Sequence, residues 1–189
     1  SGLTAQIAFL QSFEKEAEIR RRTHVIARPD VEKIAQLGLD MRRFAEGEVE
    51  LDATIQEPRD GDTRVDLVMG LQKTELRVGE LEWEKPAGAA GTLRAHIRAR
   101  DDAVVAIDRF QVATADLAAS GAVQFSPETR RPTRFTVERL QLGETDLSGV
   151  IASDGKGGYT ANIKGPFADL RELVDGLDHD GAKSKVPLV

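Results

Sequence analysis

From about residue 43 to 163, apolar and polar side chains change places with a period of two, which restricts the chain to extended structure over most of its length. Successive side chains of a strand point to opposite faces, so this period sorts them into one apolar and one polar face. Val49, Leu51, Ala53 and Ile55 alternate with Glu48, Glu50, Asp52, Thr54 and Gln56. The stretch from Glu57 to Gly61, with Pro58 and Asp60-Gly61, favours chain reversal, and Val65, Leu67, Met69 and Leu71 then resume the pattern. Further strands are predicted where Leu76 and Val78 run into Leu81 and Trp83, around Leu93, Ala95, Ile97 and Ala99, around Val105 and Ile107, and from Leu117 to Phe125. Phe135 with Val137, Leu147 with Val150 and Ile151, and Tyr159, Ala161 and Ile163 complete the set. Roughly eight to ten short strands separated by turn residues predict a mainly β chain, an antiparallel meander over residues 43–165.

Two short helices are expected to bracket the meander. Pro29 and Asp30 ahead of Val31, Ile34, Ala35 and Leu37, with Gly38 as the stop, predict one over 29–39. Pro166, Phe167, Leu170, Leu173 and Val174, with Asp169 in the first turn and Gly176 beyond the last, predict another over 166–176. Within residues 1–28, Ile7, Leu10 and Phe13 suit a helix, while Glu18, Arg20 and Arg22 alternate with Ile19, Arg21 and Thr23; strands are the preferred reading. Residues 1–177 are read as one β-rich segment of a larger protein. Residues 178–189, ending in Val186, Pro187, Leu188 and Val189, are read as a tail or the start of a next repeat.

An apolar sheet face either closes into a sandwich or barrel or stays open as a trough. The chain has 7 Phe, 1 Tyr and 1 Trp, so its inward residues are mainly Val, Leu, Ile and Ala, which line a smooth wall. On the residues alone a closed sandwich or barrel ranks first, because soluble chains rarely leave large apolar patches open.

The residues assemble no catalytic constellation. His24 lies in an Arg-rich polar stretch, His96 alternates outward between Ala95 and Ile97, and His179 lies in the polar tail; all three read as solvated side chains. Asp178, His179 and Asp180 are adjacent ligands without a folded frame, a poor metal site. The glycines around Ser153, Asp154, Gly155, Lys156, Gly157 and Gly158 sit between two strands, which suits a hairpin turn and not a phosphate loop. Neither catalytic nor metal-binding residues are assigned, no cofactor is expected, and the chain is read as a non-enzyme. With 26 Lys and Arg against 32 Asp and Glu, and basic clusters confined to Arg20 to Arg22, Arg42 with Arg43 and Arg130 with Arg131, no nucleic-acid partner is expected. The absence of cysteine excludes disulfides and leaves the compartment open.

The stretch Leu81, Glu82, Trp83, Glu84, Lys85, Pro86, Ala87 and Gly88 reads as a strand end followed by a turn that breaks the ladder. With Gly91 to Ala99 after it, this pattern resembles the AsmA-like family of bacterial envelope proteins. So do the run from Leu140 through Gly143 to Gly149 and the run Gly165, Pro166, Phe167, Ala168, Asp169 and Leu170. The resemblance covers about residues 37 to 175 and rests on the order and spacing of these stretches.

That resemblance implies a periplasmic protein held in the inner membrane by an anchor outside this chain, with a curved antiparallel sheet forming a groove or half-pipe. It implies a module that carries phospholipid or other acyl-chain lipids between inner and outer membranes. The expected groove wall is Val49, Leu51, Ile55, Val65, Leu67, Met69, Leu71, Leu93, Ala95, Ile97, Val105, Ile107, Val123, Phe125, Phe135 and Val137. The curved open sheet becomes the preferred fold and the closed sandwich or barrel the alternative. The alternative function is a non-catalytic structural or protein-interaction β domain of the periplasm. Exposed end strands also leave edge-strand self-association open.

Overall fold

The structure, a computed structural model, describes residues 5–14, 17–36, 41–79, 82–101, 103–143, 145–155 and 158–165. Ten strands form one antiparallel sheet. In spatial order they are β1 (Ala5–Gln11), β2 (Ile19–Ala27), β4 (Glu50–Pro58), β5 (Thr63–Gly70), β8 (Gly91–Arg100), β9 (Ala103–Thr114), β10 (Leu117–Phe125), β11 (Pro132–Leu142), β12 (Thr145–Ser153) and β13 (Tyr159–Lys164). β1 and β13 are the two edges, so the sheet is open and not a barrel. A smaller antiparallel sheet contains β3 (Ala45–Gly47), β6 (Thr74–Val78) and β7 (Trp83–Lys85).

The first helix, α1, spans Val31–Gln36 and follows the Pro29-Asp30 start, where the Asp30 carbonyl accepts the Lys33 and Ile34 N–H groups at 3.0 and 3.2 Å. Its predicted stop at Gly38 and the whole predicted second helix over 166–176 lie outside the described residues, as do His179 and the tail. Residues 1–28 supply β1 and β2, in agreement with the strand reading.

One strand differs from its sequence pattern. Leu76 and Val78 do not run on into Trp83. The chain turns at Gly79, where the Glu82 N–H bonds to the Gly79 carbonyl at 3.0 Å and Glu82 takes a left-handed φ of 48°. β6 and β7 then pair antiparallel, Val78 opposite Trp83 and Leu76 opposite Lys85. Segment 71–90 is thus an excursion from the large sheet, which resumes when β8 pairs with β5. β12 and β13 pair antiparallel on either side of the expected hairpin turn, with the Asp154 N–H bonded to the Gly158 carbonyl at 2.9 Å.

Bulges bend the right-hand half of the sheet. Register shifts interrupt the β8–β9, β9–β10, β10–β11 and β11–β12 ladders, each placing an extra residue in one strand and increasing local twist. Two glycines sit beside them. A Cβ on Gly121 would lie 2.0 Å from the Thr136 carbonyl oxygen, and one on Gly149 would lie 2.4 Å from that of Asn162. Glycine at both positions leaves room for the backbone of the neighbouring strand, which a side chain would displace.

Candidate functional site

The register carries one row of side chains across all ten strands: Ile7, Val25, Ala53, Leu67, Ala95, Phe110, Gly121, Val137, Gly149 and Ile163. Parallel rows contain Leu51, Met69 and Leu93 on one side and Ile55, Val65, Ile97, Ile107, Val123, Phe135 and Ile151 on the other. Thirteen of the sixteen predicted wall residues lie on this face, since Phe125 continues the parity of Val123 and Gly121 along β10. With strands about 4.8 Å apart, the apolar face of the ten-stranded sheet extends roughly 40 Å across the strands.

Three predicted residues are placed differently. Val49 precedes β4 and Leu71 follows β5, both almost wholly buried. Val105 is the extra residue of a bulge, because Val104 pairs with Ala99 and Ala106 with Arg98.

The face is filled at one end. Val31 and Ile34 of α1, Ala45 of β3, Val49 and Leu71 form one hydrophobic cluster with Ala53, Leu67, Met69 and Ala95 of the large sheet. Leu51, Val65, Leu93, Ile97, Ile107 and Phe110 pack around it. On β10 and β12, Leu117, Val123, Leu147 and Ile151 of the same face are buried, at 7%, 7%, 3% and 2% exposed. Val137, Phe135, Leu140 and Ile163 of β11 and β13 are half-buried. The rings of Phe110 and Phe135 stack with centroids 5.7 Å apart.

The cover is fastened by the stretch that contains the single Trp. Trp83 and Lys85 both point inward from β7, 6% and 2% exposed. The Lys85 ammonium donates to the Thr74 carbonyl at 2.7 Å and the Pro86 carbonyl at 3.1 Å. Burial pushes its pKa down. Its stem lies against Gly91, where β8 begins; a Cβ there would sit 2.9 Å from the Lys85 Cε. Thr74 is buried and donates through its hydroxyl to the Glu48 carbonyl at 2.8 Å. The Leu71 N–H donates to the Gly91 carbonyl at 2.8 Å. The Trp-x-Lys-Pro stretch therefore joins the small sheet to the large one.

The opposite face is polar and carries charge pairs between strands. Asp62 accepts from Arg100 at 2.7 Å and from Arg98 at 3.4 Å, and Arg98 also reaches Asp108 at 2.7 Å. The Arg100 hydrogen bond holds the Asp62 carboxyl below the usual carboxylate range, and the positive charges of Arg100 and Arg98 add to this. Two histidines lie on the same face against carboxylates: His24 Nε2 is 2.7 Å from Asp52 Oδ1 and His96 Nδ1 is 2.6 Å from Asp66 Oδ1. Among the described residues, no group of three or more His, Asp and Glu side chains is placed to hold a metal ion. No helix among the described residues is long and apolar enough to cross a membrane.

Several members of the face escape a simple reading of the alternation. Phe110, Val112 and Leu140 follow bulges that reverse the parity set by Ile107 and Val137. Gly121 and Gly149 interrupt the apolar count from within the face. The contribution of β1 is hidden because Ile7, Leu10 and Phe13 also match helical spacing.

No family model matches the chain, and no curated protein or solved structure matches it.

Proposed function

We propose that this chain is a lipid-binding module, in which the apolar face from β9 to β13 receives acyl chains of phospholipid or a related lipid. One observation carries this reading: a ten-stranded sheet with two free edges whose aliphatic face is continuous in register and keeps Val137, Phe135, Leu140 and Ile163 partly exposed on β11 and β13. Each methylene moved from water onto such a surface gains about 0.8 kcal/mol, so affinity would grow with chain length and owe little to the headgroup. The charge pairs of the opposite face keep that side hydrated. The resemblance to AsmA-like envelope proteins extends the proposal to a periplasmic protein, anchored in the inner membrane elsewhere in its sequence, that passes lipid between the two membranes.

The test compares neighbouring residues on opposite faces. Val137 lies on the apolar face, and Thr136 pairs with Val150 and Ala122 on the other. The chain should take up a fluorescent fatty acid and retain phospholipid detectable by mass spectrometry. Val137→Asp should lose both signals and Thr136→Asp should keep them, with circular dichroism confirming that each variant is folded. A folded wild-type chain that takes up neither probe would overturn the reading and favour a structural or protein-interaction domain.

A further inference from the structure

We infer that β1 is a self-association edge: two copies of this chain pair β1 to β1, antiparallel about a two-fold axis at Ala8, and join their large sheets into one. Among the described residues no strand pairs with the outer side of β1. Its side chains are the least covered in the sheet, with Ile7, Phe9 and Leu10 exposed by 64%, 68% and 74%. Soluble proteins protect such edges with charge, proline or a bulge. β1, Ala-Gln-Ile-Ala-Phe-Leu-Gln, has none of these and pairs with β2 without a register shift. The opposite edge, β13, carries Lys164 and is one residue shorter.

The hydrogen-bonding parity selects the register. The Ser12 N–H donates to the Arg20 carbonyl at 3.0 Å, continuing the ladder in which Gln11 lies opposite Arg21. Hydrogen-bonded and non-bonded pairs alternate in an antiparallel ladder, so the even residues of β1 bond to β2. The N–H and C=O groups of Ala5, Ile7, Phe9 and Gln11 therefore point away from β2. An axis at Ala8 pairs these outward groups with each other, Ile7 with Phe9 and Ala5 with Gln11, and uses the whole strand. Ile7 and Phe9 lie on the apolar face, so the same register makes two Ile–Phe cross-strand contacts and continues that face from one copy into the next. No charged side chain of β1 is brought against another. The inference does not depend on lipid binding.

A cysteine scan tests both the contact and its register, since the chain has no cysteine of its own. Ala8 lies opposite Ala8 of the second copy in a non-hydrogen-bonded pair, with Cα atoms about 4.5 Å apart, within the roughly 4.4–6.8 Å range of disulfides. Ala8→Cys should form a disulfide dimer under mild oxidation. Gln6→Cys and Leu10→Cys should not, because each is set about 14 Å from its own copy along the strand. Sedimentation equilibrium of the wild-type chain should show a closed dimer, and Ile7→Lys should weaken it by at least about tenfold with an unchanged circular dichroism spectrum. A monomer at all concentrations would overturn the inference, as would open-ended polymers, which indicate β1 on β13. Cross-linking at position 6 or 10 in place of 8 would overturn the register.

Discussion

The Phe110 ring lies against Gly121 so closely that a Cβ on the glycine would come within 3.0 Å of two ring carbons. Phe110 and Gly121 face each other across β9 and β10, at the point where both ladders of β10 shift register. The aromatic covers backbone that has no side chain of its own, and the sheet bends around the pair.

Gly121→Ala should therefore lower stability by about 1–3 kcal/mol, the usual cost of overpacking, since the Thr136 carbonyl is closer still than the ring. Gly79→Ala meets nothing within 4 Å and should stay within about 0.5 kcal/mol of wild type. Urea unfolding of the two variants makes the comparison.

Buried and half-buried positions of the face should respond differently to truncation. Leu67 is buried in the cluster beneath α1, so Leu67→Ala should cost about 2–5 kcal/mol. Val137 is only half-buried, and Val137→Ala should cost less than about 1.5 kcal/mol. Thermal denaturation followed by circular dichroism separates these values.

Lys85 should give the fold an unusual alkaline dependence. Its folded pKa lies below the ordinary 10.5, so between the two values the unfolded chain binds more protons. The stability contributed by this group should rise as pH rises through the folded pKa and level off above 10.5. Lys85→Met should lose about 1–3 kcal/mol at neutral pH by leaving the Thr74 and Pro86 carbonyls without their donor. The stability difference between wild type and variant, measured from neutral pH to above 10.5, should widen.

Asp62 has the opposite sign. Its carboxyl titrates below the ordinary 3.8, so its stabilising effect is complete above that value and disappears as pH falls through the folded pKa. Asp62→Asn should be less stable than wild type at neutral pH, the gap closing in acid and shrinking at high salt. Chemical unfolding at several pH values and salt concentrations tests this.

The alternation of residues such as Leu51 to Ile55 and Leu93 to Ala99 made the β class and most of the large sheet legible, because a half-buried strand leaves a period of two. Bulges were not legible: the step from Val137 to Leu140 changes face parity through backbone geometry, which residue type does not encode. The small sheet was hidden for a different reason. Leu76, Val78 and Trp83 all face inward, so a hairpin folded over a core has the same apolar residues as a single continued strand. Lys85 reads as a surface charge by type, although its parity with Trp83 placed it inward. Most of the expected wall residues share one face of the sheet, and the docking of α1 and β3 on that face is announced by no local pattern.

The strand order also sets how the chain can acquire its structure. From β9 to β13 every strand pairs only with its chain neighbours, so each contact closes a short loop and any hairpin can extend in either direction. β2 and β5 must instead wait while segments 28–49 and 71–90 are gathered in before they meet β4 and β8. The half from β9 to β13 thus assembles like a zipper, and the half that holds the α1 cluster closes later, when the excursions dock.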